Sequence, residues 1–90
     1  MIEGKHAALV ALGRQIRKVR RERGISQEDF AHEAGISRAY YGGVERGERN
    51  LSALNLMRIA AALGVEVGAL FPQREVFAPL LQGAGGTDPA

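Results

Sequence analysis

Ninety residues with no cysteine and a formal net charge of +2 make one small domain. They exclude a disulfide framework, a zinc–thiolate site and a thiol nucleophile, and leave a reducing cytoplasm as the expected compartment. The opening MIEGKHAALVALG lacks the basic start and long apolar run of a secretion signal, and no stretch reaches the roughly 18 apolar residues of a membrane span.

The charge is unevenly placed. Arg14, Arg17, Lys18, Arg20, Arg21 and Arg23 fall close together, opposed there only by Glu22, whereas residues 51–90 carry Arg58 and Arg74 against Glu66, Glu75 and Asp88. A basic half and a near-neutral half fit a polyanion partner on one face, although a basic cluster on a helix also reads simply as a solvated face.

In chain order, His6 to Arg23 is predicted as a helix, because Leu9, Leu12, Ile16 and Val19 recur at three- and four-residue spacing and mark one buried face. Gly24 ends it. Ser26 is placed to cap a second helix, Gln27 to Ala34, with Glu28 and Asp29 at its positive end and Phe30, Ala31 and Ala34 inward; Gly35 closes it. Ser37 caps a third, with Tyr41 and Val44 inward and Arg38, Ala39, Gly42, Gly43 and Arg46 along the opposite stripe. Each glycine inside a helix costs roughly 1 kcal/mol against alanine. Gly42 and Gly43 therefore suggest an outward face shaved for the close approach of a partner, whether a polyanion or another protein helix.

Gly47 stops that helix, and Ser52 caps a fourth that runs to about Leu63, with Leu56, Ile59, Ala60 and Leu63 inward and Met57 also in the core. A short helix around Val67 to Phe71 breaks at Pro72, and REVFAPLLQ is predicted as a last turn or two interrupted at Pro79. GAGGTDPA has nothing to bury, so residues 83–90 are expected to be a disordered tail. The expected class is all-α, a domain over residues 1–82.

Residues 27–46 form the most specific pattern: two short helices joined by Gly35-Ile36-Ser37, small-sided at Ala31, with apolar anchors at Phe30, Ala34, Ile36, Tyr41 and Val44. A small contact and a tight turn allow two helices to cross steeply, as in a helix-turn-helix whose second helix enters the DNA major groove. The catalytic alternatives are poor. His6 and His32 are the only histidines, and no HExxH, Walker loop or nucleophile elbow is present. Asp29, His32 and Glu33 share one face of the second helix, but on a short exposed helix they read as a solvated polar face and not as a metal site. No cofactor, metal or small-molecule ligand is expected.

ISQEDFAHEAGISRAYYGGVERGERNLSALNLMRIAAALGV resembles the compact five-helix, lambda-repressor-like domain of the Cro/C1-type, xenobiotic-response-element-like regulators. The RAYYGGVERGERNLS stretch looks most like the controller proteins of restriction–modification systems. The resemblance implies a homodimeric, sequence-specific transcriptional regulator on a pseudo-palindromic duplex operator, with residues 37–46 in the major groove. It places Ser37, Arg38 and Ala39 at base edges, Arg38 pairing with guanine or else meeting a phosphate. Gly42 and Gly43 stand where some relatives reach bases. It assigns phosphate contacts to Gln27, Tyr40, Arg46, Arg49 and Asn50, and an internal salt bridge to Arg20 and Glu45. The dimer surface is expected within residues 65–82, from Val65, Val67, Leu70, Phe71, Val76, Phe77 and Leu80, with Leu81 beside them. The rival expectation is a protein-interaction module, such as an antitoxin or adaptor, built on the same scaffold.

Overall fold

The computed structural model describes residues 6–83, all of them helix, turn or loop with no strand. Of the tail expected over residues 83–90, Gly83 ends the last helix and residues 84–90 lie outside the described residues, as do residues 1–5 of the opening segment. The helices are α1 (Ala7–Glu22), α2 (Gln27–Ala34), α3 (Arg38–Glu45), α4 (Ala53–Leu63) and α5 (Arg74–Gly83), with a 3-10 turn, Val67–Leu70, before the last.

Serine starts three of them by the same local chemistry. The side chains of Ser26, Ser37 and Ser52 accept from the backbone N–H of Asp29 at 3.0 Å, Tyr40 at 3.1 Å and Asn55 at 3.0 Å. Each such cap is worth about 1 kcal/mol because it satisfies an N–H that the helix leaves open. His6 does the same for α1 through Nδ1, which accepts from Ala8 N–H. At the other end of α2, Gly35 takes a left-handed conformation (φ +75°), which lets the chain turn sharply into Ser37.

The core is one cluster drawn from every element up to the 3-10 turn: Leu12 and Ile16, Phe30 and Ala31, Tyr41 and Val44, Ile59, Ala60 and Leu63, and Leu70. Phe30 and Tyr41 bring α2 and α3 together, with ring centroids 5.0 Å apart and planes tilted by 55°. Two glycines let α1 come against the end of α3. At Gly13 a Cβ would strike the Val44 carbonyl oxygen and lie 2.6 Å from that of Glu45. At Gly47, which has φ +79°, it would lie 2.6 Å from Val10 Cα. Long polar side chains tie α1 to the rest: Arg23 Nη1 donates to the Ala62 carbonyl at 3.0 Å and Gln15 Nε2 to that of Ala69 at 3.1 Å.

From α4 onward the structure differs from the sequence expectations at Met57, Leu70 and Pro79. Met57, expected in the core, is 53% exposed, and so is Leu54 at 54%, because Ile59, Ala60 and Leu63 already fill the inward side of α4. Leu70, expected at a dimer surface, is fully buried, since the tight 3-10 turn points it into the core cluster. α5 runs through Pro79 without ending. Pro79 cannot donate to the carbonyl of Glu75, but that residue is exposed, so water can serve the carbonyl instead.

Candidate nucleic-acid interface

α3 presents two chemically different sides. Tyr41, Val44 and Glu45 face the core, whereas Ser37, Arg38 and Ala39 are exposed and Tyr40 is half-buried. Past the end of the helix, Arg46, Arg49 and Asn50 are also exposed. Arg38, Arg46 and Arg49 therefore give this surface three cationic groups around a helix that has small side chains in its middle.

Gly42 and Gly43 are not open to solvent, as their stripe suggested, but buried. Their cover is made of long side chains from the end of α3, from the turn after it and from the start of α2. A methyl on Gly42 would lie 3.1 Å from Arg46 Nη1 and 3.6 Å from Gln27 Oε1. One on Gly43 would lie 3.1 Å from Arg49 Cγ and 3.7 Å from Glu48 Oε1. The glycines thus give long, rotatable side chains a place to lie flat against the α3 backbone.

Two of these arginines, Arg46 and Arg49, have defined resting partners. Arg46 meets Glu48 as a fork, Nε to Oε2 at 3.1 Å and Nη2 to Oε1 at 3.2 Å, and the hydrogen-bonded carboxylate raises the guanidinium pKa further above its ordinary value. Arg49 lies over the Tyr40 ring, 5.5 Å from its centroid. The Tyr40 hydroxyl accepts from Asn55 Nδ2 at 3.2 Å, and Asn55 Oδ1 in turn accepts from Arg58 Nη1 at 2.8 Å. Asn55 is therefore a supporting residue that the sequence did not signal: only the fold sets α4 beside a tyrosine fifteen positions earlier.

Under this surface sits a closed ionic hub. Arg20 Nε donates to Glu45 Oε2 at 2.6 Å and Nη2 to Oε1 at 3.1 Å, while Nη1 donates to the Ile25 carbonyl at 2.6 Å. Burial alone would raise the Glu45 carboxyl, but the hydrogen bonds from Arg20 and Gln27, together with the Arg20 charge, hold it below the ordinary carboxylate value. The Tyr41 hydroxyl is sealed beside the same pair; burial first, then Glu45, raises its pKa far above that of an ordinary phenol. Gln27, expected to meet phosphate, donates Nε2 to Glu45 Oε1 at 2.9 Å, so its side chain already serves the hub.

Residues 16–70 match the helix-turn-helix family HTH_3. The chain belongs to this Cro/C1-type helix-turn-helix family. It is 39% identical over 67 residues to the control protein C.MunI of Mycoplasma sp, covering 73% of this chain and 90% of that one. The crystal structure of the restriction-modification controller protein C.AhdI from Aeromonas hydrophila superposes with a TM-score of 0.72 at 45% identity, over 73% of this chain and all of the other. SinR, a master regulator of biofilm formation solved in complex with DNA, superposes with a TM-score of 0.63 at 33% identity, over 66% of this chain and 95% of that one. No helix among the described residues is long and apolar enough to cross a membrane, and no group of three or more metal-ligating side chains occurs among them.

Proposed function

We propose that this chain binds duplex DNA as a homodimer, each copy laying α3 in the major groove of one half of a pseudo-palindromic operator. The chain is a DNA-binding transcriptional regulator of the helix-turn-helix family, and its likeness to C.MunI and C.AhdI supports a controller-type role. One observation carries the docking mode: the outward side of α3 combines exposed Arg38 and Ala39 with Arg46 and Arg49 folded over a glycine floor.

In this reading Arg38 is the reader of base edges, its planar fork suited to guanine O6 and N7, with Ser37 and Ala39 beside it. Tyr40, Arg46, Arg49 and Asn50 meet the sugar–phosphate backbone, and the start of α2 at Gln27 lies toward a phosphate. Gly42 and Gly43 let the backbone of α3 come near the duplex once the arginines over them extend to phosphates. Regulation calls for no catalysis and no cofactor, and the working compartment is the cytoplasm. The two half-sites lie about 34 Å apart, one helical turn.

Exposed Phe71, Val76 and Leu81, with Val67 and the partly buried Val65, Phe77 and Leu80, supply apolar surface for the second copy. Leu70 takes no part, being fully buried. Residues 1–82 act as one domain in this scheme, with 27–46 as its reading unit.

Selection of bound sequences from random duplex DNA, followed by titration at rising salt, tests the proposal. Enrichment of a two-fold symmetric site, with affinity falling steeply as counterions are released, is the expected result. Salt-insensitive binding, or no enrichment, would leave the scaffold to protein partners. Arg38→Ala should weaken operator binding by about 1–3 kcal/mol and relax preference at one position in each half-site. An unchanged selection profile for that variant would remove Arg38 from the reading role.

A further inference from the structure

Two arginine–carboxylate forks occur among the described residues, and they differ in exposure. In Arg20–Glu45 the side chains are 8% and 2% exposed; in Arg46–Glu48 they are 57% and 38% exposed. The first is closed, and the second can exchange its acid for an anion from outside.

The second fork is also held in place by the backbone. Gly47 is left-handed, so the chain reverses between Arg46 and Glu48, and the Glu48 N–H donates to the Gly43 carbonyl at 2.8 Å. That bond sets Glu48 against the outward side of α3, with its Oε1 close to Gly43. A carboxylate and a phosphate each offer paired oxygens to the same two guanidinium N–H groups.

We propose that Glu48 is an internal stand-in for a DNA phosphate, which occupies the Arg46 fork in the free protein and is displaced when α3 docks. The inference rests on the DNA-binding reading of this surface and adds a regulator of its strength. Because Arg46 must leave Glu48 before it can serve a phosphate, and the displaced carboxylate stays beside the polyanion, the pair lowers affinity for every duplex by a similar factor. It thereby limits retention on unrelated sequence without altering which bases are read.

Glu48→Gln keeps the shape of the side chain and removes its charge. Fluorescence anisotropy with a labelled duplex of unrelated sequence, and with the selected operator, should show both bound about three- to tenfold tighter at low salt. The log–log salt dependence should steepen by about one unit. Glu75→Gln on α5, the same charge change away from the arginine fork, sets the baseline and should shift binding less. In an Arg46→Gln background most of the gain from Glu48→Gln should vanish, and thermal melts show whether every variant is folded. Weaker binding by Glu48→Gln, no change, or a change confined to one sequence would overturn the inference. If the unaltered chain binds no duplex even at low salt, the DNA reading itself fails, which the same titration reveals separately.

Discussion

Gly13→Ala is expected to destabilise the protein by about 3 kcal/mol or more, a drop in Tm of roughly 10 °C or more for a domain of this size. On an exposed helix the same change would stabilise by about 1 kcal/mol, so the sign alone is informative. The reason for the reversal is that the added methyl meets backbone: the Val44 carbonyl oxygen, the Glu45 carbonyl oxygen at 2.6 Å and the Glu45 carbonyl carbon at 2.9 Å. A rotating side chain could yield, but the last turn of α3 yields only if α1 and α3 separate. That separation would also stretch the Arg20–Glu45 fork, which spans the same two helices. Chemical and thermal melts measure the effect; a Tm equal to or above that of the parent chain would show that the two helices are not locked at this point.

Glu45→Gln is the second large change, expected to cost about 3–5 kcal/mol. Its shape is kept, but Arg20 loses its countercharge in a site where burial denies it water. The same pair gives the protein a characteristic response to acid. The Glu45 carboxyl titrates below its ordinary value of 4.5 in the folded chain, so the unfolded chain takes up the proton first as pH falls. The stability that Glu45 contributes is therefore fully present above about pH 4.5 and is lost as pH drops through its lower folded value. Other carboxylates titrate in the same window. The diagnostic quantity is thus the gap between parent and Glu45→Gln in urea midpoints, which should be widest at neutral pH and narrow on acidification. Parallel curves would show that the ion pair is not the source of the acid sensitivity.

Much of the fold was legible because its signals are local. Ser26, Ser37 and Ser52 cap the helices they precede, and the glycines that end α2 and α4 take the left-handed turn that such stops need. What the sequence hid was set by contacts across the fold. Gly13 reads as one more small residue on an amphipathic helix until α3 is laid against it. Gly42 and Gly43 lie on the outward stripe of α3, as spacing predicts, yet they are covered by Arg46 at the helix end, by Gln27 of α2, and by Glu48 and Arg49, which the turn at Gly47 brings back over the helix. In ALNLMRIAAAL the apolar residues run nearly all round, so periodicity could not place Met57 outside. Leu70 belonged to an apolar surplus after Gly64 that composition cannot divide between core and surface; a single 3-10 turn makes the division. At the candidate site, the residue types of α3 and the loop after it were visible in advance. The resting partners of those residues, Glu48 for Arg46 and Asn55 for Tyr40, were not.

Arg20 ties together three parts of the chain that a sequence motif treats as separate: its own helix α1, the Ile25 carbonyl ahead of α2, and Glu45 at the end of α3. The twenty or so residues usually credited with recognition therefore borrow their rigidity from outside themselves. Cut out as a peptide, or grafted onto a foreign scaffold, they would leave Glu45 without its guanidinium and would no longer hold the angle between the two short helices. A working transplant has to carry α1 along, and changes on α1 will alter DNA binding at a distance from any nucleotide.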